Sequence, residues 1–286
     1  MMDEVADAAS GTEEEGGEVW WGEFSLDVDH AGRWRVGPST MWIERHDHEW
    51  RVTHWQEDDP MDAQAEINVP ASMVLSSIPE GAEVDVGRYS FEETQSRLIV
   101  APALADRPVI VRPEEPLFVL TDETVTLFVS TPLWMRLSAG TDNHLLTEIP
   151  SYRPSDSWFG PNTREGELCY ASSTLGRLRL EDVPLRLHRA ITPVIVRNTS
   201  GESLSVDRIR IPVEFLSLFQ DDDGYLWTES VRFDKTSGDE LAALTVGKGA
   251  PRFADGAKSI AAPRQRHDRG AQVRAFSSLI NRIADV

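Results

Sequence analysis

The sequence predicts a mostly-β protein, built as one or two antiparallel β-sandwiches with a short amphipathic C-terminal helix. Three observations carry this. Apolar and polar residues alternate at the strand period over most of the chain. Clusters of Gly, Pro, Asn and Asp punctuate it at intervals of roughly eight to twelve residues. No amphipathic helical face appears before residue 268.

Residues 1–18, "MMDEVADAASGTEEEGGE", hold seven acids, no Lys or Arg and few apolar residues, so a disordered acidic tail is expected. The first β region, 19–112, opens at "VWWGEFSLDVD". Short strands follow at 32–36, 41–44 and 49–54, with "GPST" and "HDH" as the turns between them. Aromatic residues alternate there with charged ones, as suits a half-buried antiparallel sheet. "SRLIVAPAL" and "RPVIVRP" continue it, with Pro102, Pro108 and Pro113 confined to strand ends or edges. The second β region, 113–247, begins with a strand pair in "ETVTLFVSTPLWMRLS", where Val125, Leu127 and Val129 share a face before Pro132 interrupts the ladder. "TPLWMRLSAG" and "TPVIVRNTSG" echo one another, as short strand motifs often do. A linker is expected at 248–267. Over 268–285, Asp268 can cap a helix with Val273, Phe276, Leu279, Ile280 and Ile283 on one face.

The 286 residues carry a formal charge of −20, which argues against a nucleic-acid partner because phosphate is repelled over most of the surface. The charge is uneven: residues 248–286 hold eight Lys or Arg against three Asp. With Cys169 the only cysteine, no intrachain disulfide forms. No run approaches the roughly 18 apolar residues of a transmembrane segment, and the acidic start is unlike a secretory signal. The expectation is a soluble cytoplasmic protein. No cofactor-binding or catalytic motif is present: no phosphate-cradling glycine loop, no Gly-x-Ser-x-Gly elbow and no His-Glu-x-x-His.

Four constellations invite a chemical reading. "HDH" at 46–48, with His54 nearby, offers imidazoles for a metal, but a polar hairpin tip is the simpler account and no metal site is expected. "DDDG" at 221–224 fails as a calcium loop: with Gly224 sixth, the first and twelfth positions are Phe219 and Ser230, so a tight turn is expected. Cys169 with His188 suggests a nucleophile, yet "GELCYAS" reads as a buried strand without an orienting group. Finally, "PSYRPSDSWFGPNTREGELCYAS" at 150–172 gathers acids and aromatics. Glu165 and Glu167 share a face of an extended segment, which Asp156 could approach. Such carboxylates suit either a sugar-cleaving pair or ion pairs with nearby Arg residues.

That stretch, together with "MWIERHDHEWRV", "STPLWMRLSAG", "HRAITPVIVRN", "RIRIPVEFLSLF" and "GYLWTESVRF", resembles an uncharacterised prokaryotic family, domain-of-unknown-function family 432. The similarity spans most of 19–285. The family has no assigned activity, so the resemblance carries over no catalytic residue. Its genes often accompany those of mechanosensitive channels, which implies a channel-associated or osmotic-stress role.

The resulting expectation is a non-catalytic binding or regulatory module. Its candidate surface comprises Asp156, Trp158, Phe159, Glu165, Glu167, Tyr170, His188 and Arg189, with aromatic rings for stacking and charges for orientation. The partner is a protein, a membrane channel among the options, or a small polar ligand. A carbohydrate hydrolase using the loop carboxylates and a purely structural protein are the alternatives.

Overall fold

The computed structural model describes residues 19–71, 78, 81–160, 164, 166–237, 242–266, 272–273 and 276–277. The acidic stretch 1–18 and Glu165 lie outside these. The architecture is mostly β; helical geometry among the described residues is limited to two 3-10 turns, Leu180–Asp182 and Val213–Phe215.

The aromatic-rich segment forms three consecutive antiparallel strands, His30–Val36, Ser39–Arg45 and Glu49–Gln56. They are the centre of a five-stranded sheet edged by Ala65–Ala71 and Asp85–Ser90. Pairing Trp34 with Met41 and Ile43 with Val52 directs these side chains inward, and with Trp50 they are buried completely or nearly so. Deleting one such Trp side chain costs on the order of 3–5 kcal/mol. Alternation sends Trp42 and Trp55 to the opposite face, where Ile78, Ala82 and Val84 cover them.

The inner face meets a four-stranded antiparallel sheet ordered Gly22–Ser25, Arg97–Ala103, Trp134–Ala139, His144–Pro150. Phe24 stands edge-on to Trp34 across the layers, with ring centroids 5.1 Å apart. Ser39 Oγ and Gln56 Nε2 both donate to the Pro150 carbonyl, at 3.0 and 2.6 Å.

The rest of the chain forms two larger sheets and a small one pairing Leu117–Val119 with Leu204–Val206. In the eight-stranded sheet, Arg189–Asn198 pairs antiparallel along its length with Thr124–Pro132. Its other side pairs in parallel with Leu226–Trp227 and then Val231–Lys235. The five-stranded sheet runs Ser155–Phe159, Glu167–Gly176, Val109–Pro113, Arg208–Ile211, Phe276–Ser277, with Glu167–Gly176 parallel to Val109–Pro113. Leu127, Val129, Val194, Val196 and Phe233 from the larger sheet join Val109, Val111, Ile209 and Ile211 from the smaller in one apolar cluster. This cluster also contains Trp34, Met135 and Leu137, so a continuous interior runs through both expected β regions.

Around Pro132 the chain departs from the sequence expectation. Thr124–Pro132 and Trp134–Ala139 do not pair with each other: one belongs to the eight-stranded sheet, the other to the four-stranded one. The ladder stops at Pro132, which lacks an N–H. Buried Leu133 makes the crossing, its N–H donating to the His188 carbonyl and its carbonyl accepting from Ser151 N–H, at 3.0 and 2.8 Å.

The expected C-terminal helix is corrected at its described residues, 272–273 and 276–277; Asp268, Leu279, Ile280 and Ile283 lie outside them. Among the described residues of that stretch, Gln272–Val273 pairs with Ala242–Val246, and Phe276–Ser277 pairs with Arg208–Ile211. Open sheet edges supply backbone partners that outweigh a local helical pattern. Within the expected linker, Lys258–Ala261 is a strand paired with Leu218–Gln220.

Candidate functional site

The Ser155–Phe159 and Glu167–Gly176 strands form a hairpin whose register pairs Asp156 with Tyr170, Trp158 with Leu168, and Phe159 with Glu167. Directly paired residues share a face and neighbours along a strand alternate. Asp156, Trp158 and Tyr170 therefore lie on one face, and Phe159 and Glu167, with Cys169, on the other.

On the first face Tyr170 is buried in the core, against Trp134 at 5.5 Å. Its hydroxyl donates to Asp106 Oδ1 at 2.9 Å; burial, then this bond, pushes the phenol above its ordinary value. The Arg107 guanidinium lies 5.2 Å from the Tyr170 ring centroid and 3.3 Å from Asp156 Oδ1. Arg153 reaches the other oxygen of Asp156 at 3.5 Å. Further along the hairpin, Trp158 and Leu168 stand side by side, 40% and 45% exposed. Gly166 permits the close seating of the Trp158 indole; a Cβ there would collide with the ring and lie 2.8 Å from the Phe159 carbonyl.

The second face is packed shut around Cys169, while the Glu167 side chain stays 44% exposed. Phe159, Cys169 and Ile110 form a small buried cluster, with the Arg208 guanidinium 5.9 Å from the Phe159 centroid. Glu167 is held by Arg210 through both oxygens, at 3.0 Å for Oε2. Arg210 also reaches the buried Glu214, 3.4 Å away. Burial alone would lower the Arg210 guanidinium, but these carboxylates hold it above its usual value. Burial drives the Glu214 carboxyl up to about 7 despite Arg210. Glu214 Oε2 and Arg210 Nη1 are buried without a hydrogen-bond partner among the described residues. Burial and then the Glu167 charge push the Cys169 thiol up to about 12, so the thiolate is not formed at neutral pH.

The structure brings His188 and Arg189 to neither face. They sit where Arg189–Asn198 enters the other large sheet, each 1% exposed. Burial lowers the imidazole to about 4, and Gly37, at φ +57°, packs against it so tightly that a Cβ would lie 2.7 Å from the ring. Arg189 donates to Ser130 Oγ, the Ser130 carbonyl and Thr174 Oγ1 at 2.9, 2.8 and 3.1 Å, tying neighbouring strands together with no carboxylate partner among the described residues. Its Nη1 has no hydrogen-bond partner among the described residues.

The other motifs behave as turns. His46 bonds Asp29 and His48 bonds the Glu92 carbonyl at a hairpin tip. Asp221 accepts from Tyr225 N–H and Trp227 Nε1 to shape the turn that contains Gly224. Among the described residues no group of three or more His, Cys, Asp or Glu is placed to hold a metal, and no helix is long and apolar enough to cross a membrane.

Arg107, Leu168, Arg210 and Glu214 were missed in the sequence reading. "RIRIPVEF" did carry a signal: alternation puts Arg208 and Arg210 opposite the buried Ile209 and Ile211, with Glu214 inside an apolar run.

No curated protein and no solved structure matches the chain. A family model described as protein of unknown function (DUF432) matches residues 20–281, and the chain belongs to that family.

Proposed function

We propose that this protein is a non-catalytic binding module of the cytoplasm, taking an extended segment of a partner protein along the Ser155–Phe159 edge. The observation that carries the reading is the exposed Trp158–Leu168 pair, on a strand that ends its sheet among the described residues. An edge strand offers unpaired backbone groups to an incoming strand, and cross-strand side chains select which strand it takes. Trp158 and Leu168 supply the apolar contact; Asp156, with Arg107 and Arg153, supplies charges further along the same face.

A hydrolase reading is less well supported, because Asp156 and Glu167 face opposite sides of the hairpin and Arg side chains occupy both. A purely structural loop would bury both aromatics; only Phe159 is buried. A membrane channel, the association implied by the family's gene neighbourhood, is the first partner to test. With a photo-reactive residue at the exposed Ser155 of the same edge strand in cells, we expect a discrete cross-linked adduct, identified by mass spectrometry. Trp158→Ala should abolish it while shifting the unfolding midpoint little. An unchanged adduct, or a variant that no longer folds, would refute the proposal.

A further inference from the structure

The outer face of the eight-stranded sheet is covered along only part of its length. At one end Phe128, Ile191, Phe219 and Trp227 are sealed by Val183 and Ala254 and by the partly buried Phe253, whose ring meets Phe128 edge-on at 5.0 Å. At the other end the same face continues as Thr126 opposite Ile195, then Thr124 opposite Arg197. Segment 247–253, "GKGAPRF", arches over this open end. Its start is clipped to the sheet by Gly247 N–H donating to the Ser230 carbonyl at 2.8 Å, and its end is anchored by Phe253. Between arch and sheet lies a cleft of about 410 Å³, floored by Thr124, Thr126 and Ile195 and bordered by Lys248 and Arg252.

The charge of this cleft runs against that of the molecule. The chain as a whole carries −20, yet among the described residues the cleft lining holds two cations and no acid. Register adds two more cations to the same face, Arg197 opposite Thr124 and Arg232 opposite Ile195; both are exposed. Among the described residues, Asp234, opposite Arg197, is an acid on that face. Among the described residues, Arg197, Arg232, Lys248 and Arg252 make no ion pair, whereas Arg residues elsewhere on the surface are extensively paired. The Thr124, Thr126 and Ser230 hydroxyls likewise have no hydrogen-bond partner there. Cations without a carboxylate partner, Arg252 resting over the Phe253 ring at 4.9 Å, beside free hydroxyls on an acidic protein form an electrostatic sink for an anion. The volume falls in the range of small-molecule sites.

We infer that this cleft binds a phosphomonoester, with the phosphate between Lys248, Arg252 and the Thr124 and Thr126 hydroxyls, and the organic part against Ile195 and Pro251. A soluble organic phosphate and a phospholipid headgroup present the same chemistry, so both are tested. Calorimetric titration with glycerol phosphate and pyrophosphate is compared with flotation on phosphatidylcholine vesicles with and without phosphatidic acid. The full chain is used as wild type, as Lys248→Gln with Arg252→Gln, and as Thr126→Val. Binding of a soluble probe identifies a soluble ligand; binding only to phosphatidic acid identifies a headgroup. In either case removing the cations should weaken it by roughly tenfold per cation. Thr126→Val, which leaves the charge unchanged, should weaken it severalfold. Both cations are exposed, and Arg252 gives up only its contact 4.9 Å over the Phe253 ring, so the charge variant should melt within a few degrees of wild type. Absence of binding to every probe, or binding indifferent to the charge variant, overturns the inference. Loss in the charge variant with Thr126→Val unaffected overturns it too, because the attraction would then be diffuse.

Discussion

Glu214→Gln should make the protein more stable above neutral pH and leave it unchanged in mild acid. Glu214 faces Arg210 and Glu167; His188 faces Arg189, Arg186 and Asp62. Burial moves the two groups in opposite directions, the carboxyl from 4.5 to about 7 and the imidazole from 6.5 to about 4. In both cases the folded protein favours the neutral form. As pH rises from 4.5 to about 7 the unfolded chain ionises its glutamate first, so the fold loses stability across that window. The imidazole acts in reverse: the unfolded chain takes up its proton first, and stability is lost as pH falls from 6.5 toward about 4. At roughly 1.4 kcal/mol per pH unit, each excursion is worth about 3 kcal/mol, with opposite signs. The two slopes largely cancel in the wild type, and removing the carboxyl exposes the histidine's. The assay is urea unfolding followed by tryptophan fluorescence, from about pH 4.5 to 8. The stability difference, variant minus wild type, should grow toward alkaline pH by about 3 kcal/mol, while contributions common to both proteins drop out. A difference that stays constant, or grows toward acid, would refute the reasoning.

Three further outcomes follow from the same geometry. Arg189→Lys should cost about 1–3 kcal/mol in unfolding free energy, because one ammonium cannot reproduce a fork serving Ser130 and Thr174. Gly37→Ala should cost at least about 2 kcal/mol, since φ +57° is unfavourable for a side chain and the methyl group would run into His188; a melting temperature equal to wild type would contradict the packing. Cys169, buried with its thiol raised to about 12, should resist iodoacetamide in the native protein at pH 8 and react on unfolding. Rapid native alkylation would place the thiol at the surface.

The strands were legible because alternation is a local property. Trp34, Met41, Ile43 and Val52 each announce an inward position through their neighbours, and the turns around Gly37 and Gly224 declare themselves by residue type. Sheet membership was not, because Pro132 marks a break without saying where the chain goes next. The C-terminal segment misled for a related reason: its apolar spacing suits a helix, and the deciding factor, unpaired edges at Ala242–Val246 and Arg208–Ile211, lies far away in sequence. The candidate site was legible in composition only. Parity within a strand separates Trp158 from Phe159, but the pairing of Asp156 with Tyr170 depends on the hairpin register. The partners that neutralise the acids arrive from far along the chain, Arg107 from a bend 49 residues before Asp156 and Arg210 from a strand 43 residues after Glu167.

The passage of one uninterrupted ribbon through Leu133, with both of its peptide groups tethered, has a mechanical consequence. Such a crossing, set in an apolar interior shared by both sets of layers, resists a swing of the amino-terminal layers against the carboxy-terminal ones. Heat or force applied to either half is felt by the other, and the molecule should come apart in a single transition. Any signal sensed at the Trp158 edge would then travel through a stiff frame rather than across a swivel.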